Sequence, residues 1–453
     1  MNGNGSGRGA GVRASSGRDR VSRLSRFGFR VFGLLLDLPM LLVGLLLSPW
    51  LLHLVFIQGR SFGSIFERLG WWSISLPVRE RIWIHAASVG EVRAAIPLID
   101  ALRRNRPGAE FVVSTMTTGA RDLARHSIAD VQVRLLPFDF SFFMHALLLQ
   151  LRPDLLVLVE LELWPNLLLA CRSRSVPVVV VNGRISRSGA KKLSLLGPLT
   201  KWMMKVPAQV CARGEEDAER FLALGASAEK IRITGELKHD ALEGPSPLSR
   251  REQHDHSIGF GQNEFRWVAG CTHPGEEELV LKAHRSLLDA KPASQLLLAP
   301  RHVERAASLL QLSRRLGFEA VLQSTSGGDC SSVVIIDRIG ELDGAYRISD
   351  AAFVGGSLVP HGGHNLLEPV AAGCATCHGP FIDNFTDLAQ ILEDADAIEG
   401  LANADQLGPL LDRWVADQEL RRRSRQKGMV VVGQLGGAAD RCAGHLAQIL
   451  KYC

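Results

Sequence analysis

From Arg81 onward, short apolar runs alternate with stretches whose apolar residues recur at helical spacing. The runs Ile82–His85, Phe111–Ser114, Leu155–Val159, Val178–Val181, Gln209–Cys211 and Ile231–Thr234 read as one series of strands. A second series comprises Trp267–Gly270, Gln295–Ala299, Ala320–Leu322, Val333–Ile336 and Ala352–Val354. Continuous Val, Ile and Leu without alternation marks strands covered on both faces, and strands alternating with helices imply parallel sheets. The most polar stretch between the series, Glu243 to Asn263, is the expected linker. The pattern therefore predicts two doubly wound α/β domains, with ligands at the carboxyl ends of the strands.

The stretch Phe353 to Pro369, FVGGSLVPHGGHNLLEP, stands out. A buried strand breaks at Gly355-Gly356 and Gly362-Gly363, then a helix begins. Free backbone N–H groups at such a helix start favour an anion, and glycines let a phosphate approach the chain. Asn365 and Glu368 sit one turn apart there, placed to cap the helix or to bond ligand hydroxyls. The pattern says nucleotide or sugar phosphate without saying which. No G-x-x-x-x-G-K-[ST] loop is present, which argues against a P-loop ATPase.

Other strand ends carry candidate chemistry. Ile84 leads into His85-Ala86-Ala87-Ser88-Val89-Gly90-Glu91, where Glu91 either serves the helix dipole or removes a proton from an acceptor hydroxyl. Glu160 and Glu162 leave a buried strand, which is costly unless they are paired, solvated or functional, and they share a face if the chain stays extended. Lys238, after Gly235-Glu236-Leu237, either neutralises a leaving phosphate or is a solvated lysine. Pro300-Arg301 ends a strand where an arginine suits a phosphate, and Ile339-Gly340-Glu341 lies in a further turn. His361 and His364, like His273 and His302, have residue types that suit a metal, but no carboxylate or cysteine completes a ligand set, so none is expected. Asp394-Ala395-Asp396 reads as a solvated helix face.

Composition narrows the classes. The 453-residue chain is 46% hydrophobic and 22% charged, as expected of a globular protein. Its net charge of +5 is concentrated in residues 1–30, which hold seven arginines and one aspartate. The body is close to neutral, so no nucleic-acid partner is expected. The first 20 residues, rich in Gly, Ser and Arg, are expected to be disordered. Val31 to Ile57 is almost wholly apolar and long enough to cross a bilayer, although Asp37, Pro39 and Pro49 also allow an interfacial or re-entrant segment, and a buried soluble helix is the third reading. Arginine placement puts the N-terminus in the cytoplasm, which for a single pass would leave the body outside. The eight cysteines are scattered, as in a reducing compartment. Cys374-Ala-Thr-Cys377-His378 matches the haem-attachment spacing, yet it follows an Ala-Ala-Gly helix end and reads as a buried strand with two free thiols.

Taken in order, the motifs resemble the 3-deoxy-D-manno-octulosonic acid (Kdo) transferases of lipid A and lipopolysaccharide assembly. The matching segments are HAASVGEV (85–92), STMTTGARD (114–122), LPFD (136–139), ELELWPNL (160–167), NGRISRS (182–188), GELKHD (235–240), CTHPGEEE (271–278), APRHVERA (299–306), IGEL (339–342) and GGSLVPHGGHNLLEP (355–369). The resemblance implies a GT-B glycosyltransferase fold. Two Rossmann-like domains, 60–242 for the acceptor and 264–453 for the nucleotide sugar, would face a central cleft behind an N-terminal membrane segment. It implies inverting transfer of Kdo from CMP-Kdo to a lipid A precursor, lipid IVA, with no metal and no cofactor. The family's base falls on Glu91 and its transition-state stabilisers on Glu160 and Lys238. CMP contacts fall on Pro300, Arg301, Ile339, Gly340, Glu341, Asn365, Leu366, Leu367 and Glu368. Glu236 and His239 depart from the family's usual residues beside Lys238, and the Arg-rich extension is atypical. A lipid acceptor and a cytosolic donor together favour an inner-membrane enzyme with its body on the cytoplasmic face. A sugar-nucleotide epimerase of the same fold, or a binding homologue without activity, are the alternatives; the ELELWP and HAASVGE segments and the intact Glu91, Lys238 and Arg301 speak against them.

Overall fold

The computed structural model describes residues 33, 37–38, 66–77, 79–242, 265–326 and 331–451. The tail 1–30, most of the apolar run 31–57 and the linker 243–263 lie outside these residues. Among the described residues no helix is long and apolar enough to cross a membrane. The chain divides into two compact units, the second spanning Lys238–Ala438. The final helix, Ala438–Lys451, groups from Ala439 onward with the first unit, whereas the sequence expectation ran the second domain to 453.

The first unit is a seven-stranded, all-parallel sheet. Its strands are β1 (Arg81–His85), β2 (Glu110–Thr115), β3 (Gln132–Leu135), β4 (Leu155–Val159), β5 (Val178–Gly183), β6 (Gln209–Ala212) and β7 (Ile231–Ile233), in the order β3-β2-β1-β4-β5-β6-β7. Strands β1 and β4 are buried at every position, which is why Ile82–Ile84 and Leu155–Val159 read as unbroken apolar runs. Each fully buried aliphatic side chain contributes about 1.5–3 kcal/mol. The strand order reverses between β1 and β4, so the crevice at their carboxyl ends is the topological switch point of this sheet.

Helices α1 (Val89–Asn105), α2 (Ser141–Leu151) and α3 (Pro165–Ser173) follow β1, β3 and β4. Leu147, Leu148 and Leu151 of α2 and Leu167 and Leu168 of α3 share one core with Trp83, Leu158 and Val180. Asp37, the single acid in the apolar run 31–57, is buried against this unit. Its carboxylate accepts from Ser141 N and Asn166 Nδ2, both at 3.0 Å, and from the Ser141 hydroxyl. Asp139 accepts from Asn166 N (2.9 Å) and Leu167 N (2.8 Å), capping the first turn of α3. Burial pushes the Asp139 carboxyl up to about 7, with the neighbouring Asp37 adding to the rise against those two bonds.

The second unit repeats the plan. Strands β8 (Phe265–Thr272), β9 (Ser294–Pro300), β10 (Ala320–Leu322), β11 (Val333–Ile335), β12 (Ala351–Val354), β13 (Ala375–His378) and β14 (Ile398–Gly400) lie in the order β10-β11-β9-β8-β12-β13-β14, all parallel. Here the order reverses between β8 and β12. The CATCH segment is the buried strand β13 with Cys374 and Cys377 as free thiols, and the His378 imidazole bonds Glu393 (3.0 Å) and the Gly379 carbonyl (2.7 Å). Asp394 and Asp396 bond Gln390 and Lys427 at the surface. Strands β3 and β14, absent from the sequence reading, are both sheet edges.

Candidate active site

Glu91 occupies the third position of α1, directly beyond β1, and is only 7% exposed. Ser88 is the N-cap: its Oγ accepts from Glu91 N (3.3 Å) and donates to Glu91 Oε1 (2.8 Å), while Ala87 N donates to Oε2 (2.8 Å). This is a capping box closed one residue further back than usual. Burial raises the Glu91 pKa above its ordinary 4.5; the Ser88 and Ala87 bonds oppose the rise, and the charges of Glu162 and Glu160 add to it. A carboxylate tuned upward is better matched to take a proton near neutral pH.

Glu160 and Glu162 do not share a face. Glu160 takes a left-handed backbone (φ 62°) immediately after β4, so the chain leaves the extended conformation that a shared face requires. Such a conformation in a residue other than glycine costs about 1–3 kcal/mol and collects at functional sites. Glu162 Oε2 instead accepts from Trp164 Nε1 (2.8 Å) and lies 3.7 Å from His85 Nε2. His85 is fully buried, with Nδ1 2.9 Å from Ser114 Oγ. Thus His85, Glu91, Glu160 and Glu162 gather at the β1/β4 switch point.

In the second unit, Lys238 lies half-buried on the single-turn helix α4 (Leu237–Asp240). Leu237 N of that turn donates to Asn182 Oδ1 (3.0 Å). Glu236, the departure beside it, pairs with Arg213 at 3.3 Å, so its charge is partly balanced within the first unit. Pro300 ends β9 against Thr272 of β8, and Arg301 N donates to Thr272 O (3.0 Å). Ile339 and Gly340 are exposed beyond β11, Ile339 being 86% exposed. Glu341 half-buries and accepts from Gln323 Nε2 (3.4 Å).

The glycine-rich segment follows β12. Gly356, Gly362 and Gly363 all have positive φ (67°, 80° and 72°), and a Cβ on Gly355 would sit 2.6 Å from Cys271 O. Asn365 Oδ1 accepts from Leu367 N (3.0 Å) and its Nδ2 donates to Glu368 Oε1 (3.1 Å). Leu366 and Leu367 point into the core with Val354. The helix that follows, α5 (Leu367–Ala372), has only six residues, so its dipole is small and the loop's own N–H groups are the stronger feature. Burial first, then the Glu368 charge, lift the Cys271 thiol to about 11 against the Arg301 charge. Arg301 and Glu368 therefore act on one point at the end of β8. Sequence reasoning missed Glu276, a fully buried carboxylate after β8 that accepts from His273 N (2.6 Å) and Gly356 N (2.6 Å), with Leu358 N at 3.4 Å. The run Glu276-Glu277-Glu278 concealed it, because nothing local distinguishes the buried Glu276 and Glu277 from the exposed Glu278. Among the described residues no group of three or more His, Cys, Asp or Glu is arranged to hold a metal ion.

Two all-parallel α/β units of this kind resemble the GT-B glycosyltransferases. The chain is similar to a glycosyltransferase from Rickettsia africae (TM-score 0.56, 12% identity, 83% of this chain and 99% of that one). It is also similar to a UDP-GlcNAc 2-epimerase from Neisseria meningitidis (TM-score 0.53, 12% identity, 78% and 99%), so the fold alone does not choose between transfer and epimerisation. Sequence does. Residues 63–241 match the family described as 3-Deoxy-D-manno-octulosonic-acid transferase (kdotransferase). The 3-deoxy-D-manno-octulosonic acid transferase of Haemophilus influenzae is 34% identical over 380 residues, covering 83% of this chain and 88% of that protein. The chain belongs to the Kdo transferase family and is a glycosyltransferase.

Proposed function

We propose that this protein transfers Kdo from CMP-Kdo to a lipid A precursor, lipid IVA, in lipopolysaccharide biosynthesis, with inversion at the anomeric carbon and without a metal. Glu91 takes the proton of the acceptor hydroxyl as that oxygen attacks. The bond from the anomeric carbon to the phosphate oxygen breaks, and its electron pair leaves with CMP. Glu160 and Lys238 stabilise the charge that develops during this displacement. Pro300, Arg301, Ile339-Gly340-Glu341 and Asn365 through Glu368 hold the CMP. Within that set Arg301 meets the phosphate, exposed Ile339 offers an apolar face to the base, and Glu368 accepts from ribose hydroxyls. The lipid acceptor and cytosolic donor place the work at the inner membrane, with the body on the cytoplasmic side.

The observation that carries this reading is the Glu91 carboxylate: buried at the β1/β4 switch point, raised in pKa, and acted on by two further carboxylates. The test is Glu91→Ala assayed for transfer and, separately, for CMP binding. Loss of transfer with CMP binding retained supports the role of base; turnover near the parent level removes it.

A further inference from the structure

Four imidazoles gather at the carboxyl ends of β8, β9 and β12, and none has a role in the reaction as described. The His273 ring centroid lies 4.2 Å from that of His361, 5.2 Å from His364 and 6.3 Å from His302. His273 Nε2 and His364 Nε2 are 2.9 Å apart. Two imidazole nitrogens at that distance share one proton, one donating to the lone pair of the other. The arrangement is built rather than incidental. Glu276 fixes the backbone on both sides, accepting from His273 N and Gly356 N. Gly356 has φ 67°, where a side chain is strained, and a Cβ there would come within 3.2 Å of His364 Cδ2 and 3.3 Å of His273 Cδ2, so the glycine gives the pair its room.

The surroundings decide the resting charge. Arg301 and Arg305 face the cluster, and Arg305 is tied to Glu277 at 2.6 Å. His302 lies 3.7 Å from Glu304, Glu276 spends its carboxylate on backbone N–H groups, and Glu368 is bonded by Asn365. Burial first, then the neighbouring imidazoles and Arg301, push His364 down to about 4; the same causes lower His273, with Arg305 adding to them. Burial, the neighbouring imidazoles and the arginines thus favour the neutral form of both members of the pair.

We propose that the His273–His364 pair is a proton-linked oxyanion site for the donor nucleotide sugar. Binding of an oxyanion draws a second proton onto the pair, breaks the N–H···N bond and turns both Nε2–H groups into donors to the ligand. The inference rests on the CMP reading of the same strand ends. The oxyanion is either the CMP phosphate or the carboxylate of Kdo. Proton uptake means that binding tightens as pH falls toward the range where the empty pair protonates.

The test is calorimetric titration of the full-length protein at pH 7.5 in buffers of different ionisation enthalpy, with cytidine, with CMP, and with free Kdo added to CMP-loaded protein. A phosphate monoester titrates near pH 6, so CMP itself is almost fully ionised there. The proposal expects uptake of about one proton, lost in both His273→Gln and His364→Gln, with CMP or Kdo binding weakened about 10- to 100-fold. Uptake with CMP but not cytidine assigns the phosphate; uptake only on adding Kdo assigns the carboxylate. CMP binding to the parent protein without proton uptake in either arm overturns the proposal while leaving the CMP reading intact, as does uptake that persists in both variants. Absence of any CMP binding to the parent overturns both. If a variant fails to fold, the buffer series on the parent protein decides alone.

Discussion

Glu91 is both a helix-capping residue and the proposed base, and the two contributions separate under mutation. Glu91→Ala removes the proposed base, a role whose loss costs about 10²- to 10⁴-fold in kcat. It also removes the acceptor for Ser88 Oγ and Ala87 N, a capping loss of about 1 kcal/mol. In a unit of this size that lowers Tm by about 2–4 °C. Ser88→Ala removes the cap but keeps the carboxylate, so it produces a similar fall in Tm while kcat stays within about tenfold of the parent. The Ser88 bond holds the Glu91 pKa down against burial and the Glu160 and Glu162 charges. Ser88→Ala therefore moves the acid limb of the kcat/KM profile to higher pH, starting from a parent limb already above 4.5. The assay is transfer with donor generated in situ from pH 5 to 9, alongside thermal melts. The reasoning fails if Glu91→Ala keeps kcat within tenfold, or if the Ser88→Ala limb moves to lower pH.

Three further outcomes follow from the packing. Asp139, raised by burial from 3.8 to about 7, binds protons in the folded state that the unfolded chain releases, so it destabilises the fold as pH rises through that window. Asp139→Asn flattens that dependence in urea midpoints at pH 5 and 8, and an unchanged slope contradicts the cause given. Asp37→Ala strips acceptors from Ser141 N and Asn166 Nδ2, costing about 1–3 kcal/mol; a melt identical to the parent's means that Asp37 does not stabilise the first unit. Gly363→Ala meets φ 72° with Phe381 O 3.3 Å from the new Cβ, a strain of about 1–2 kcal/mol, and weakens CMP binding by equilibrium titration; undiminished affinity removes the loop from the nucleotide site.

Most strands were legible because a strand covered on both faces must be apolar throughout, as Leu155–Val159 and Val178–Val181 are. The strands β3 and β14 were not: an edge strand is wetted on one side, and QVRL and IEG carry too little apolar signal. The positions of Glu91, Arg301 and Asn365 through Glu368 were legible as the residues that follow strands. Their electrostatics were not. The Ser88–Glu91 cap has a local S-x-x-E signature that was open to reading. By contrast, the left-handed turn at Glu160, the burial of Glu276 and the meeting of His273 with His364 depend on chain segments far apart in sequence. Asp37 is the sharpest case. In an apolar run it reads as an obstacle to spanning, and only the fold supplies Ser141 and Asn166 as its partners.

The central claim is tested most directly by transfer itself. Purified full-length protein is given CMP-Kdo generated in situ and a lipid A precursor, and the lipid is weighed by mass spectrometry with and without EDTA. The account predicts a gain of one or more Kdo masses, unchanged by EDTA and absent with Glu91→Ala. No gain from protein that still binds CMP would contradict it.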